Sequence, residues 1–332
     1  MIIRDGTIKF RSSPNRRQLA SGIVAAAAVV SLAGPALSQE YPNRPIQLVV
    51  PYSAGGGTDI VARYFATVAA NYLDVPIRVV TMPGAGGTRG TRYVAESAPD
   101  GYTLVFGTLG SQLTSPIIQD VGYQPEDFEP VSIISAPSFM IVVEPDSELT
   151  DFAAFVEHVR ANPGQVRYGS SGAGGSAHYM MALLSDRLGL EMVHVPFNGS
   201  SEAVANVMGG HVETAAPSTG SAAGGISAGN LRALVHTASN DLSAFPDVPS
   251  MQDAGYDFVF YTWRGIFAPK GTPEEVLEVL DELSQMVGAN EEFRRLVSLA
   301  EGEETAVIAR AQFIDQYARE IVDARRIAPT LN

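Results

Sequence analysis

The sequence predicts an α/β fold built from two similar units, and two observations carry that prediction. From Gln39 onward, short β-favouring runs alternate with helical stretches, as expected of parallel sheets flanked by helices. In addition, two glycine-rich segments each join an apolar run to a helical pattern: Ser53-Ala54-Gly55-Gly56-Gly57-Thr58, and Ser171-Gly172-Ala173-Gly174-Gly175-Ser176. A strand, a glycine turn and a helix start in that order suit an anion, because the backbone approaches closely and the first N–H groups of the helix point at it. One such loop is equally an ordinary βα turn, with Thr58 or Asp59 as its cap. Two of them, more than a hundred residues apart, are placed to face each other across a cleft.

Taken in order, residues 1–38 read as an export leader. Arg4, Lys9, Arg11, Arg16 and Arg17 precede an apolar segment from Ile23 to Leu32 that is too short to span a bilayer. Ala36-Leu37-Ser38 then sets small residues for cleavage before Gln39. Asn15-Arg16-Arg17-Gln18-Leu19 has a twin-arginine look, but paired arginines are common in ordinary leaders, so the general secretory route is the expectation. The destination is the periplasm.

Without the leader's five basic residues and Asp5, the chain carries 17 basic against 35 acidic side chains, formally −18. That balance excludes a nucleic acid or an anionic membrane surface as partner, since either needs a basic footprint. A small anionic ligand is still allowed, because it feels local N–H groups more than a screened surface field. There is no cysteine, hence no disulfide framework, thiolate nucleophile or thiolate metal site. His158, His178, His194, His211 and His236 are scattered without a two-ligand helical pair, and no metal or other cofactor is expected.

Ile46 to Tyr52, Ile77 to Val80 and Thr103 to Gly107 read as strands. Helices are expected at 58–73, with Ile60, Tyr64, Phe65, Val68 and Tyr72 on one face, and near Gly90 to Ser97. Val131 to Val143 is a long β-favouring run interrupted by Pro137, suited to a strand that crosses between domains. The second unit repeats the plan. Val166 to Ser170, Met192 to Phe197 and Leu231 to His236 are its strands, with helices near 178–189 and 200–209. Phe258 to Ala268 is strand-like again, and 273–289 is an amphipathic helix with Val276, Leu277, Leu280, Leu283 and Val287 on one side. Two crossings imply a discontinuous first domain, 39–142 with 263–332, around a second at 143–262.

Two strings suggest an enzyme and fail on context. Gly225-Ile226-Ser227-Ala228-Gly229 matches a serine-hydrolase nucleophile elbow, which must follow a strand and open a helix, whereas this string leads into a strand. Gly172-Ala173-Gly174-Gly175-Ser176-Ala177 fits a dinucleotide fingerprint, yet the next strand ends in Pro196-Phe197-Asn198 with no acid placed for a ribose. A binding module is therefore preferred over an enzyme.

The chain resembles the periplasmic solute-binding proteins of tripartite tricarboxylate transporters, the Bug family. The matching motifs run in register along it: Tyr41-Pro42-x-Arg44-Pro45-Ile46, Val49-Val50-Pro51-Tyr52-x-Ala54-Gly55-Gly56-x-x-Asp59, Gly84-Ala85-Gly86-Gly87-x-x-Gly90 and Pro99-Asp100-Gly101-Tyr102-Thr103-Leu104. Ser170-Ser171-Gly172-x-Gly174-x-x-x-His178, Val195-Pro196-Phe197-x-Gly199, Pro246-Asp247-Val248-Pro249, Ala254-Gly255 and Trp263-x-Gly265 follow. The resemblance implies a two-domain periplasmic-binding-protein fold of the Venus-flytrap, type II kind with two crossover strands. It also implies a monomer that closes on a small carboxylate and delivers it to membrane subunits of a tripartite tricarboxylate-type transporter. A ligand sensor feeding a two-component system is the alternative.

By the same resemblance the ligand contacts are Tyr52, Ser53, Ala54, Gly55 and Thr108 from the first domain, and Ser171, Gly172, His178 and Ser218 from the second. Tyr52 reads equally as a core aromatic at a strand end, and His178 as a structural residue at a helix start. Gly175 stands where relatives often carry Ser or Thr, with Ser176 one position later, and Ala182 replaces a frequent Glu. The resemblance therefore carries no second-domain hydroxyl contact at that position. Arg264 either points into the cleft, where it would bind a distal carboxylate bidentately and set specificity, or covers the hinge from the surface.

Overall fold

The computed structural model describes residues 41–301 and 307–328. The leader read at 1–38 lies outside the described residues.

Two five-stranded mixed sheets form the framework, one in each lobe. The first is ordered β2–β1–β3–β10–β4. In it β1 (Ile46–Val50) pairs in parallel with β2 (Ile77–Thr81) and β3 (Thr103–Thr108), while β10 (Arg264–Pro269) runs antiparallel between β3 and β4 (Phe128–Ser135). The second is ordered β7–β6–β8–β5–β9. There β6 (Arg167–Ser170) is parallel to β7 (Val193–Pro196) and β8 (Thr214–Ala215), and β5 (Met140–Val143) is antiparallel to β8 and β9 (Arg232–His236).

The first crossing falls at Pro137, between β4 and β5. Proline has no N–H to continue a ladder, so the β-favouring run of 131–143 breaks there. Residues 140–142, assigned to the first domain by a division at 142, pair together with Val143 in the second sheet. The return crossing is the segment before β10. Phe258 and Phe260 lie outside any strand there and pack on the second lobe's core, so the predicted strand from 258 shortens to Arg264–Pro269.

Alternation along the central strands explains their uninterrupted apolar runs: both faces are covered. Leu48 faces a cluster with Phe65 and Val68 of α1 (Gly57–Ala69) and Leu277, Leu280 and Leu283 of α8 (Glu274–Ala289). Its neighbour Val49 faces the opposite cluster, with Val105, Trp263, Phe267, Phe313 and Tyr317. In the second lobe Ile141 and Val143 pack on Phe155 and Val159 of α4 (Phe152–Ala161) and on Met181 and Leu184 of α5 (Ser176–Leu188). Met140 and Val142 meet Val207 of α6 (Ser200–Met208) and Ala222 of α7 (Thr219–Ser227).

Two helical details differ from expectation and a third, the Gly225–Gly229 turn, agrees with it. The buried face of α1 is Val61, Phe65, Val68 and Ala69, while Ile60 and Tyr64 are half-buried and Tyr72 lies beyond the helix, exposed. Tyrosine keeps its polar tip wet, so it marks a helix border rather than its core side. α9 (Glu291–Glu301) and α10 (Arg310–Ile327) were not foreseen. The Gly225–Gly229 string lies at the end of α7 and leads to β9, a helix-to-strand turn.

Candidate functional site

Each glycine-rich turn serves the cleft with only part of its length. After β1, Tyr52 is buried, and its Oη lies 2.7 Å from Thr108 Oγ1 at the end of β3. Burial pushes the Tyr52 phenol up from its ordinary value, so it stays protonated and able to donate. The chain then doubles back through Gly55, at φ +76°, whose N–H donates to Asp59 Oδ2 at 2.9 Å. That bond uses the Gly55 donor inside the turn, and Ala54 is exposed. Asp59 is buried and paired with Arg63 at 2.9 Å, so it ties the loop together rather than capping α1, whose N-cap is Gly56.

In the second loop, Ser171 and Ser176 face the cleft and Gly172 and His178 do not. Gly172 sits at φ +131°, with its N–H on Ser170 Oγ at 3.1 Å. A Cβ there would stand 2.2 Å from Gly86 Cα of the first lobe, so this glycine is a lobe-to-lobe contact. His178 accepts the Gly174 N–H at Nδ1, 3.1 Å away, and stacks on His194 with ring centroids 4.0 Å apart. It braces the loop from behind.

What the fold gathers is a cavity of about 30 Å³, lined from the first lobe by Tyr52, Ser53, Gly56, Gly57, Thr58 and Thr108, and from the second by Ser171, Ser176, Ser200, Ser218 and Ser221. Phe139, Thr262 and Arg264, at the two crossings, complete it. Four helices begin at this wall: α1 at Gly57, α5 at Ser176, α6 at Ser200, and α7, whose N-cap is Ser218. Their positive dipole ends therefore lie along the cavity wall. Every lining side chain other than Phe139 and Arg264 is a hydroxyl, and none is a carboxylate. Such a wall offers many neutral donors to an anion and nothing that repels it.

Arg264 is neither on the surface nor a loose arm in the cleft. It is 1% exposed, and donates through Nε to Thr58 Oγ1 at 3.2 Å and through Nη2 to Ser218 Oγ at 3.1 Å, with Glu301 as its ion-pair partner. A side chain on Gly57 would meet its guanidinium at 2.6 Å, which accounts for the glycine there.

The lobes touch at several points beside the cavity. Gly57 N–H donates to Ser221 Oγ at 2.9 Å, Gly110 N–H to Ser176 Oγ at 2.8 Å, and Ser53 N–H to the Asn198 carbonyl at 3.3 Å. This is a closed arrangement. A volume near 30 Å³ suits about one or two water-sized groups.

Of the residues named from sequence, Tyr52, Ser53, Thr108, Ser171, Ser218 and Arg264 come together at the cavity, and Ala54, Gly55, Gly172 and His178 do not. Gly56, Gly57, Thr58, Ser176, Ser200, Ser221 and Thr262 were not singled out as contacts. For all but Thr262, which lies at the return crossing, the signal is the run of small polar residues at each helix start.

The histidine pair behind the second loop makes acid stability a measurable property. Burial first, and then His178, push His194 down to about 4. Its unfolded value is about 6.5. The unfolded chain therefore binds the proton more readily, and the contribution to stability is complete above pH 6.5 and declines as pH falls towards 4. Urea midpoints at pH 7.0 and 4.5 should differ less in His194→Gln than in the wild type. An equal difference in both would show that His194 carries none of the pH dependence.

The fold and the site define a two-lobed α/β binding protein with its cleft between mixed sheets. A family model described as the tripartite tricarboxylate transporter family receptor matches residues 61–328, and the chain belongs to that family. It is 34% identical to protein BugT of Bordetella pertussis over 258 residues, 76% of this chain and 79% of BugT. Among solved structures, the periplasmic binding protein BugD superposes with a TM-score of 0.82 at 28% identity, covering 88% of this chain and 98% of BugD. MatC from Rhodopseudomonas palustris with bound malate gives 0.80 at 27%, covering 87% and 100%.

Proposed function

We propose that the protein is a periplasmic solute-binding protein that closes on a small organic carboxylate and hands it to the membrane subunits of a tripartite tricarboxylate-type transporter. The carrying observation is the cavity wall: hydroxyls, four helix N-termini and one arginine, without a carboxylate among the lining residues. Stripping a carboxylate of water costs several kcal/mol unless charge-assisted bonds, each worth about 1.5–3 kcal/mol, replace it. The first lobe offers Tyr52, Thr58 and the start of α1, and the second offers Ser171, Ser176 and the starts of α5 and α7. Neither set alone encloses the anion, so closure is the state with the higher affinity and the ligand drives it. Malate in MatC, a relative of the same architecture, supports this class of ligand. The two lobes divide at Pro137 and Thr262, and the working form is a monomer.

A thermal-shift screen of aliphatic mono-, di- and tricarboxylates, aromatic acids and amino acids tests the reading. A cognate acid at about a hundred times its Kd should stabilise the protein by about 2.7 kcal/mol. A screen in which no carboxylate raises the melting temperature would sink it. Export is tested separately: the periplasmic protein should begin at Gln39 by mass spectrometry, and a chain that retains Met1 would refute cleavage.

A further inference from the structure

Glu301 is a buried acid that the binding scheme does not use. It ends α9, 1% exposed, and its carboxylate pairs with the guanidinium of Arg264, which lines the cavity while Glu301 does not. The last turn of a helix is an unfavourable place for a negative charge, since the dipole there is already negative, so helix preference does not explain the position. The second lobe packs against it. Gly220, in the first turn of α7, would place a Cβ 3.4 Å from Glu301 Cγ and 3.5 Å from Oε1. Glu301 thus lies between the cavity's one cationic side chain and a helix start of the opposite lobe.

We propose that Glu301 sets the charge of the ligand the cavity prefers. This rests on the carboxylate-binding reading above and adds a selectivity to it. Arg264 keeps its donors towards Thr58 and Ser218, but its formal charge is balanced from behind. A buried pair of this kind presents hydrogen bonds with no net charge, so its field in the cavity is weaker and shorter-ranged than that of a lone guanidinium. One carboxylate is then held by hydroxyls and helix N-termini, and the far end of the ligand meets polar but uncharged surroundings. A second anionic group gains little there over a neutral acceptor of the same shape.

The test compares diacids with their half-amides, from malonate with malonamate to adipate with adipamate, by calorimetry on the pair that the wild type binds most tightly. In the wild type the diacid should exceed its half-amide by less than about tenfold. Glu301→Gln, which keeps the shape and removes the charge, should raise the preference for the diacid by at least about tenfold. Glu301→Asp should stay within about tenfold of the wild-type ratio. A wild type that favours the diacid beyond that limit, or a folded Glu301→Gln whose ratio moves less, overturns the inference. Should Glu301→Gln fail to fold, the wild-type ratio decides alone. A wild type that binds none of these acids removes the inference, and an empty screen of the wider carboxylate set marks the failure of the underlying reading.

Discussion

Gly172→Val should lower affinity for the cognate acid by at least about a hundredfold while leaving both sheets folded. The reason is backbone against backbone. A Cβ at 172 stands 2.2 Å from Gly86 Cα and 2.6 Å from Gly86 N, atoms that cannot swing away as a side-chain tip would. Gly86 is constrained in turn, for its own Cβ would lie 2.5 Å from the Ala173 carbonyl. The two glycines are one of the places where the lobes touch, so a form with the lobes apart tolerates valine far better than the closed form does. Since a ligand shifts the equilibrium only by its differential affinity, a penalty on the closed state is subtracted from binding. Gly55→Val supplies the contrast. Gly55 also has a positive φ, +76°, but nothing lies within 4 Å of its Cβ position. Only local strain of about 1–2 kcal/mol opposes the change, and affinity should fall by about tenfold or less. Calorimetry gives the affinities, and small-angle scattering follows compaction. A Gly172→Val protein that binds within threefold of the wild type and still compacts would show that Gly86 and Gly172 do not govern closure.

Those two glycines also show where a sequence stops being informative. Gly55 and Gly172 stand in similar glycine-rich turns, and the strand-turn-helix order around each was legible because it depends on local periodicity and on the freedom of glycine. What lies opposite each is a tertiary fact, set by the approach of residues 86 and 172 from different lobes. The same holds for the hydroxyl wall. Ser200 reads as an ordinary residue of a helix start, Ser221 falls in no predicted element, and Ser218 is expected at the site only through the resemblance; the tertiary fold alone brings them to one wall. Arg264 was visible beside Trp263, but its partner Glu301 lies 37 positions on, at the end of a helix the periodicity did not disclose. His178 had a motif position and a structural role behind it. The neighbour that explains it, His194, belongs to another strand.

Phe267→Ala should cost about 3–5 kcal/mol of global stability. Phe267 is fully buried in the middle of β10, between β3 and β4. Its ring centroid lies 5.1 Å from Phe313 and 5.3 Å from Tyr317, both on α10, and 5.6 Å from Trp263. Phe128 closes the far side at 6.3 Å. The alanine would leave a cavity walled by rings that are themselves held by a strand and a helix, so collapse to fill it is limited. Because β10 joins both halves of its sheet and carries Arg264 at its start, the loss should register as a lower urea midpoint with an unchanged slope, not as detachment of α10 alone. At low temperature, where the variant is still folded, acid binding should stay within about threefold of the wild type, since the truncated ring lies on the face of the sheet away from α1 and outside the cavity lining. A midpoint shift equivalent to less than about 1 kcal/mol would mean that the aromatic cluster repacks, and that α10 is held to the sheet chiefly by contacts other than this one.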